Sequence, residues 1–247
     1  MFSFLKNHPF AVEAFFETSL VITFAIPKQE MKDLIPECLE LDTFKDEWAF
    51  IAVAMVQTKG LRPKGFPKIL GNDFFLIGYR VFVRFEDKTG RSVRGLYILG
   101  SATDKKKMEF FGNIFTHYNY TTTDIDRRTS DGATKISSKT SRFEISFEEP
   151  DGESVPLPEG SPFASWQEAR KYAGPLPFTF TCDPTNRSML IIEGVRQNWK
   201  PAPVKVIEQS FAFVDDLGLS DVRLANAFMI RNVPYHWKKG RIEKWEG

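Results

Sequence analysis

The sequence predicts an α+β protein built on one large, curved, mostly antiparallel sheet with two or three short helices. Three observations predict it. Roughly ten segments rich in β-branched and aromatic residues recur along the chain. The turns between several of them are of hairpin length. The regular alternation of strand and long helix that marks a parallel sheet is absent. With 247 residues the chain sits at the upper end of what one β-rich domain holds, so residues 1–247 are expected to form a single domain.

Residues 15–26 read as the first strand. Pro27 opens a short helix, Lys28 to Glu37, with Met31, Leu34 and Ile35 as its buried stripe and Pro36 near its end. Residues 47–58 form a nearly unbroken apolar strand, buried on both faces. Lys59 to Gly71, with two prolines and three glycines, reads as loop. Strands at 74–86 and 92–101 flank Asp87-Lys88-Thr89-Gly90, a hairpin signal in which Gly90 takes positive φ. Asp104 to Phe115 reads as a helix capped by Asp104, and Lys105-Lys106-Lys107 are its solvated first turns. Strands are expected at 117–128 and 134–148 around a Ser130-Asp131-Gly132 turn. Phe143, Ile145 and Phe147 alternate with polar residues, as a half-buried strand requires. After a proline-rich loop at 149–162, a short helix spans Phe163 to Tyr172. Strands follow at 177–182, 188–195, 203–214 and 224–231.

Composition narrows the function. Apolar residues make up 42% of the chain, and the 24 Phe outnumber the 6 Tyr and 5 Trp, so most rings pack inside or line a pocket. A net charge of +1 argues against a nucleic-acid binder. The two cysteines, Cys38 and Cys182, lie in no metal-binding or disulfide framework and read as reduced thiols of a cytoplasmic protein. The N-terminal segment lacks the features of a signal peptide, and no stretch is long and apolar enough to span a membrane. The expected partner is a small organic molecule, with no nucleic acid and no membrane.

No phosphate loop, dinucleotide fingerprint, nucleophile elbow or metal-binding histidine pair is present. The expected cofactor is none and the expected metal is none. Two residues stand out. Arg80 lies inside the apolar strand Phe74 to Glu86, on the face of Gly78 and Phe82. It either grips a carboxylate or enolate from within a cavity, or forms an internal ion pair or reaches solvent. His117, just past the 104–115 helix, is either an acid–base group or a hydrogen-bonded structural histidine.

Leu39-Glu40-Leu41-Asp42-Thr43-Phe44, then Trp48, Arg62-Pro63 and Gly65-Phe66-Pro67, resemble the opening of an uncharacterised bacterial family in the acetoacetate decarboxylase-like superfamily. Gly78-Tyr79-Arg80-Val81-Phe82-Val83, Gly95 to Ser101, Glu109 to Ile114 and Gln197 to Ala202 echo its later motifs, so the resemblance covers about residues 15–205. It implies a barrel-like or cone-like antiparallel sheet around a closed cavity. The decarboxylases form a Schiff base through a lysine pair. Here the corresponding place is Gly112-Asn113-Ile114-Phe115-Thr116, and Leu76 stands where relatives carry a carboxylate. Schiff-base decarboxylation is therefore not expected.

Arg80 is the pocket group that carries over, and His117 lies just past the lost lysine position. The expectation is a cavity protein binding a small carboxylate- or carbonyl-bearing molecule, with Arg80 as anchor and His117, Phe82 and Phe111 around it. Tyr79 is a weaker wall candidate, because neighbouring strand residues face opposite ways. The alternatives are a lysine-independent enzyme acting on a keto acid, with His117 moving protons, or a structural domain with a filled interior. Relatives that assemble make a homodimer the expected oligomer.

Overall fold

The computed structural model describes residues 3–150, 155–197 and 199–245. A short 3-10 helix, Ser3–Asn7, precedes β1 (Val12–Pro27), α1 (Lys28–Met31) and a second 3-10 turn, Lys32–Leu34. Next come β2 (Glu40–Leu41), β3 (Trp48–Pro63), β4 (Asn72–Glu86), β5 (Ser92–Thr103) and α2 (Lys106–Phe115). Four short strands follow: β6 (Tyr120–Thr122), β7 (Asp126–Ser130), β8 (Ala133–Ser138) and β9 (Phe143–Glu148). The chain continues through α3 (Trp166–Tyr172), β10 (Phe178–Asp183), β11 (Ser188–Arg196), β12 (Ala202–Pro203) and β13 (Lys205–Phe211). It ends with α4 (Ala212–Asp215), β14 (Arg223–Trp237) and β15 (Arg241–Lys244).

Seven strands close a hydrogen-bonded ring in the order β14-β1-β3-β4-β5-β10-β11 and back to β14. The closing contact pairs Gly194 with Trp237, Val195 with His236 and Arg196 with Tyr235. All ring pairings are antiparallel except β5 with β10. The chain returns to β5 only after laying down β7, β8 and β9 of a second sheet, and so long an excursion permits parallel pairing. That second sheet, β13-β9-β8-β7, lies against the outside of the ring. Phe143, Ile145 and Phe147 of β9 share one core with Ile22, Phe24, Ile51 and Ile77 of the ring.

The apolar run of β3 is buried on both faces, and its side chains alternate in size. Ile51, Val53 and Met55 fill the core between the sheets. Ala52 and Ala54 point into the ring, where small side chains leave room.

Several local expectations change. Strand β3 continues to Pro63 instead of looping out at Lys59. Arg62 and Pro63 still pair with Glu13 and Val12 of β1, and Gly60 (φ +61°) takes up the register shift. The stretch 117–128 splits into β6 and β7, which belong to different sheets. The stretch 134–148 is also two strands, joined by a turn at Arg142 (φ +48°). Asp104 does not cap α2, because its Oδ1 accepts from the Phe75 backbone N–H at 2.7 Å. The Asp87–Gly90 turn forms as its residues demand, with Gly90 at φ +75° and Asp87 accepting from the Thr89 and Arg91 backbone.

The Leu39–Phe44 motif has a structural purpose. Asp42 is fully buried and accepts from Arg84 of β4 at 2.7 Å and Arg94 of β5 at 2.6 Å. Arg94 also donates to the Tyr172 carbonyl at 2.7 Å and lies over the Tyr172 ring. One carboxylate thus ties β2, β4, β5 and α3 together. Cys38 and Cys182 meet at the edge of the core as free thiols, and burial, then the Cys182 side chain, pushes the Cys38 thiol up to about 12.

Two outcomes follow. Asp42→Ala leaves both arginines without their carboxylate and should cost about 2–4 kcal/mol in denaturant unfolding. A loss below about 0.5 kcal/mol would contradict the tie. At pH 7 Cys38 should alkylate far more slowly in the folded protein than in denaturant, because only the thiolate reacts. Equal rates would contradict its burial.

Candidate functional site

All seven ring strands contribute to one internal cavity of about 110 Å³. Ser19 of β1, Ala52 and Ala54 of β3, Gly78 of β4 and Ser101 of β5 are small where the ring faces inward. Larger residues at these positions would fill the space; here the interior stays hollow.

Arg80 and Phe82 line this cavity. A Cβ on Gly78 would come within 3.2 Å of the Arg80 Nε, so the bare glycine gives the guanidinium its bed. Beside it, the β4–β5 register passes from Tyr79–Gly100 to Arg80–Ile98 and leaves Leu99 as a bulge. The buried Arg80 Nε has no hydrogen-bond partner among the described residues, and Arg80 enters no ion pair there.

A second guanidinium, Arg196 at the end of β11, lines the same cavity. It donates to the Pro175 carbonyl, and the Trp199 ring lies 5.2 Å from its guanidinium carbon. Burial pulls the Arg196 pKa down, the nearby Arg80 charge pulls the same way, and the Tyr235 hydroxyl opposes both. Among the described residues the lining contains no Asp, Glu, Lys or His side chain.

Tyr118, Tyr120 and Tyr235 add three phenols to the walls, beside the hydroxyls of Ser19, Ser101 and Thr179. Burial raises the pKa of each, that of Tyr118 to about 12, so the phenols remain hydrogen-bond donors at neutral pH. The Tyr118 hydroxyl lies beside Thr179 without completing a hydrogen bond to it.

A larger cavity of about 570 Å³ adjoins the first. It lies between α2, the segment His8 to Phe10 and the start of β4, and Phe111 lines it. Leu76, Tyr118, Tyr120 and Trp237 belong to the walls of both cavities.

The structure therefore brings Arg80 and Phe82 together, sets Phe111 in the adjoining cavity and leaves His117 out of both linings. Burial lowers the His117 pKa, with the Lys6 charge adding to it and Asp183 opposing. Tyr79 faces outward and stacks on Phe213 with ring centroids 4.0 Å apart. Sequence reasoning missed Arg196, Tyr118 and Tyr235. A signal for Arg196 exists: Gly194-Val195-Arg196 repeats the spacing of Gly78-Tyr79-Arg80, an arginine two residues past a glycine. Gly194 makes room for the Tyr235 ring as Gly78 does for Arg80. In the late motif, Trp199 packs on Arg196, while Asn198 lies outside the described residues.

No curated protein matches the chain in sequence. Among solved structures it is similar to the enduracididine biosynthesis enzyme MppR complexed with pyruvate. That likeness has 12% identity and a TM-score of 0.58, over 95% of this chain and 90% of the other. It is similar to an acetoacetate decarboxylase from Legionella pneumophila subsp. pneumophila str. Philadelphia 1, at 9% identity and TM-score 0.60, over 96% and 88% of the two chains. It is also similar to an acetoacetate decarboxylase-like enzyme from Sphingomonas wittichii RW1, at 10% identity and TM-score 0.58, over 98% and 95%. At such identities the likeness establishes the fold, which is acetoacetate decarboxylase-like. The DUF2071 family of uncharacterized conserved proteins matches residues 14–233, and the chain belongs to that family.

Proposed function

We propose that this protein binds a small carboxylate- or carbonyl-bearing molecule inside the strand ring, with Arg80 as the anion anchor and Arg196 beside it. One observation carries the reading: two guanidinium groups face a single cavity whose lining, among the described residues, contains no acidic side chain. Buried charges are ordinarily paired, because leaving water uncompensated is costly. An incoming carboxylate supplies the missing charge and fits the planar fork of an arginine in two hydrogen bonds. The cavity of about 110 Å³ suits a small acid head group. The fold neighbour MppR, which has been seen with pyruvate, supports the same ligand class.

A second reading makes the protein an enzyme acting on a keto acid. It is favoured by the buried Tyr118 hydroxyl, which lies in the same cavity as Arg80 and completes no hydrogen bond among the described residues. A phenol held protonated there can donate to a developing enolate. Proton transfer then falls to Tyr118, since His117 lines neither cavity. A Schiff-base route draws no support from the inner cavity, whose lining among the described residues holds no lysine.

A thermal-shift and calorimetric titration with pyruvate and related acids tests the anchor. Wild type should be stabilised, and Arg80→Ala should weaken binding about tenfold to hundredfold. No response from wild type to any acid, or an unchanged affinity in Arg80→Ala, would refute it. The pH profile gives a separate check. Tyr118, raised to about 12, stays neutral around neutral pH. Affinity should therefore be flat from about pH 6 to 9 and fall only where the pH approaches the carboxyl pKa of the acid used, which is lower for pyruvate than for a simple aliphatic acid. An inflection near neutrality would mean that an unassigned group titrates in the site.

A further inference from the structure

We infer that the acid is amphipathic: its carboxylate meets Arg80 and Arg196, and an apolar tail runs into the adjoining cavity along α2. The inference rests on the carboxylate reading above and adds the ligand's class. The inner cavity, at about 110 Å³, holds little beyond a head group. The outer one, at about 570 Å³, falls within the range that accommodates a whole small ligand. The two meet at Leu76, Tyr118, Tyr120 and Trp237, which line both. A molecule anchored at Arg80 that is too long for the inner space has this shared wall as its way out.

The chemistry of the outer walls selects the tail. Phe10, Phe74, Met108, Phe111 and Phe115 line it, and Phe10 and Phe111 remain 36% and 43% exposed. On this side α2 is only partly packed: Met108 touches the Phe74, Leu76 and Tyr120 cluster and Phe115 meets the Phe10 ring edge-on, yet both also line the hollow. Such a surface gains from contact with hydrocarbon in proportion to the area taken out of water. The charged residues of this lining are Arg62, which is paired with Glu13, and the exposed Asp73, Lys105 and Lys107 at the rim. Leu76 stands four residues from Arg80 on the same face of β4, about 13 Å along the strand. A chain of medium length is needed to cover that span, so the fit is to a medium-chain or longer acid.

The test is a calorimetric series of straight-chain acids from butanoate to dodecanoate against wild type, Arg80→Ala, Met108→Trp and Phe111→Asp. Phe111 is 43% exposed and lies outside the hydrophobic core, so its variant gives a folded protein if the bulkier change at Met108 does not. In wild type, affinity should rise about threefold to fourfold for each added methylene that reaches apolar wall. Arg80→Ala should weaken every acid, and the two α2 variants should weaken dodecanoate at least tenfold. Butanoate binding with no gain from length, or α2 variants that hold dodecanoate as wild type does, would overturn the tail and leave the carboxylate reading standing. Dodecanoate binding indifferent to Arg80→Ala would place its head group at the rim lysines and overturn the proposed orientation. Failure of all acids to bind wild type would overturn both readings together.

Discussion

Two like charges, Arg80 and Arg196, look into one hollow where the described residues offer them no acid. Much of the surrounding structure follows from accommodating them. Gly78 clears space beside one guanidinium, and Trp199 and the Pro175 carbonyl hold the other. The ring must close for the two to meet at all, because Arg80 sits on β4 and Arg196 on β11, paired there with Tyr235 of β14. Repulsion between the guanidiniums is tolerable only with a counter-charge or with water between them.

The same strand shows how the fold treats an arginine it uses for stability. Arg84, four residues beyond Arg80, is met by the fully buried Asp42 at 2.7 Å. Arg94 shares that carboxylate. The contrast lies in the partner and not in the residue type. Where an arginine serves the scaffold, an aspartate has been brought to it from a loop 42 residues away. Where Arg80 stands, the opposing residues are Ala52 and Ile98, which offer no charge.

Much of the architecture was legible in the residues, because period-2 patterning and turn chemistry act locally. The Asp87–Gly90 hairpin, the alternation of Phe143, Ile145 and Phe147, and the inward-facing pair Arg80 and Phe82 can all be read along a single segment. What escaped depends on distant segments meeting. Arg196 and Tyr235 face each other only through ring closure, and the β5–β10 parallel pairing is set by a connection too long for local rules. Asp104 reads as a helix cap by position, yet the backbone of Phe75 claims it first. His117 follows α2 closely in sequence, but the turn after Thr116 carries Tyr118, not His117, to the cavity. The alternation of large and small residues on β3 was a usable cue to a hollow ring; read only for hydrophobicity, Ala52 and Ile51 look alike.

The most direct measurement is a crystal structure of the protein grown with a small carboxylate such as pyruvate. The account predicts carboxylate density between the Arg80 and Arg196 guanidiniums, with the Tyr118 hydroxyl within hydrogen-bond reach. An interior collapsed around Arg80, or a guanidinium swung out to pair with a surface acid while the ligand stays in bulk solvent, would contradict it.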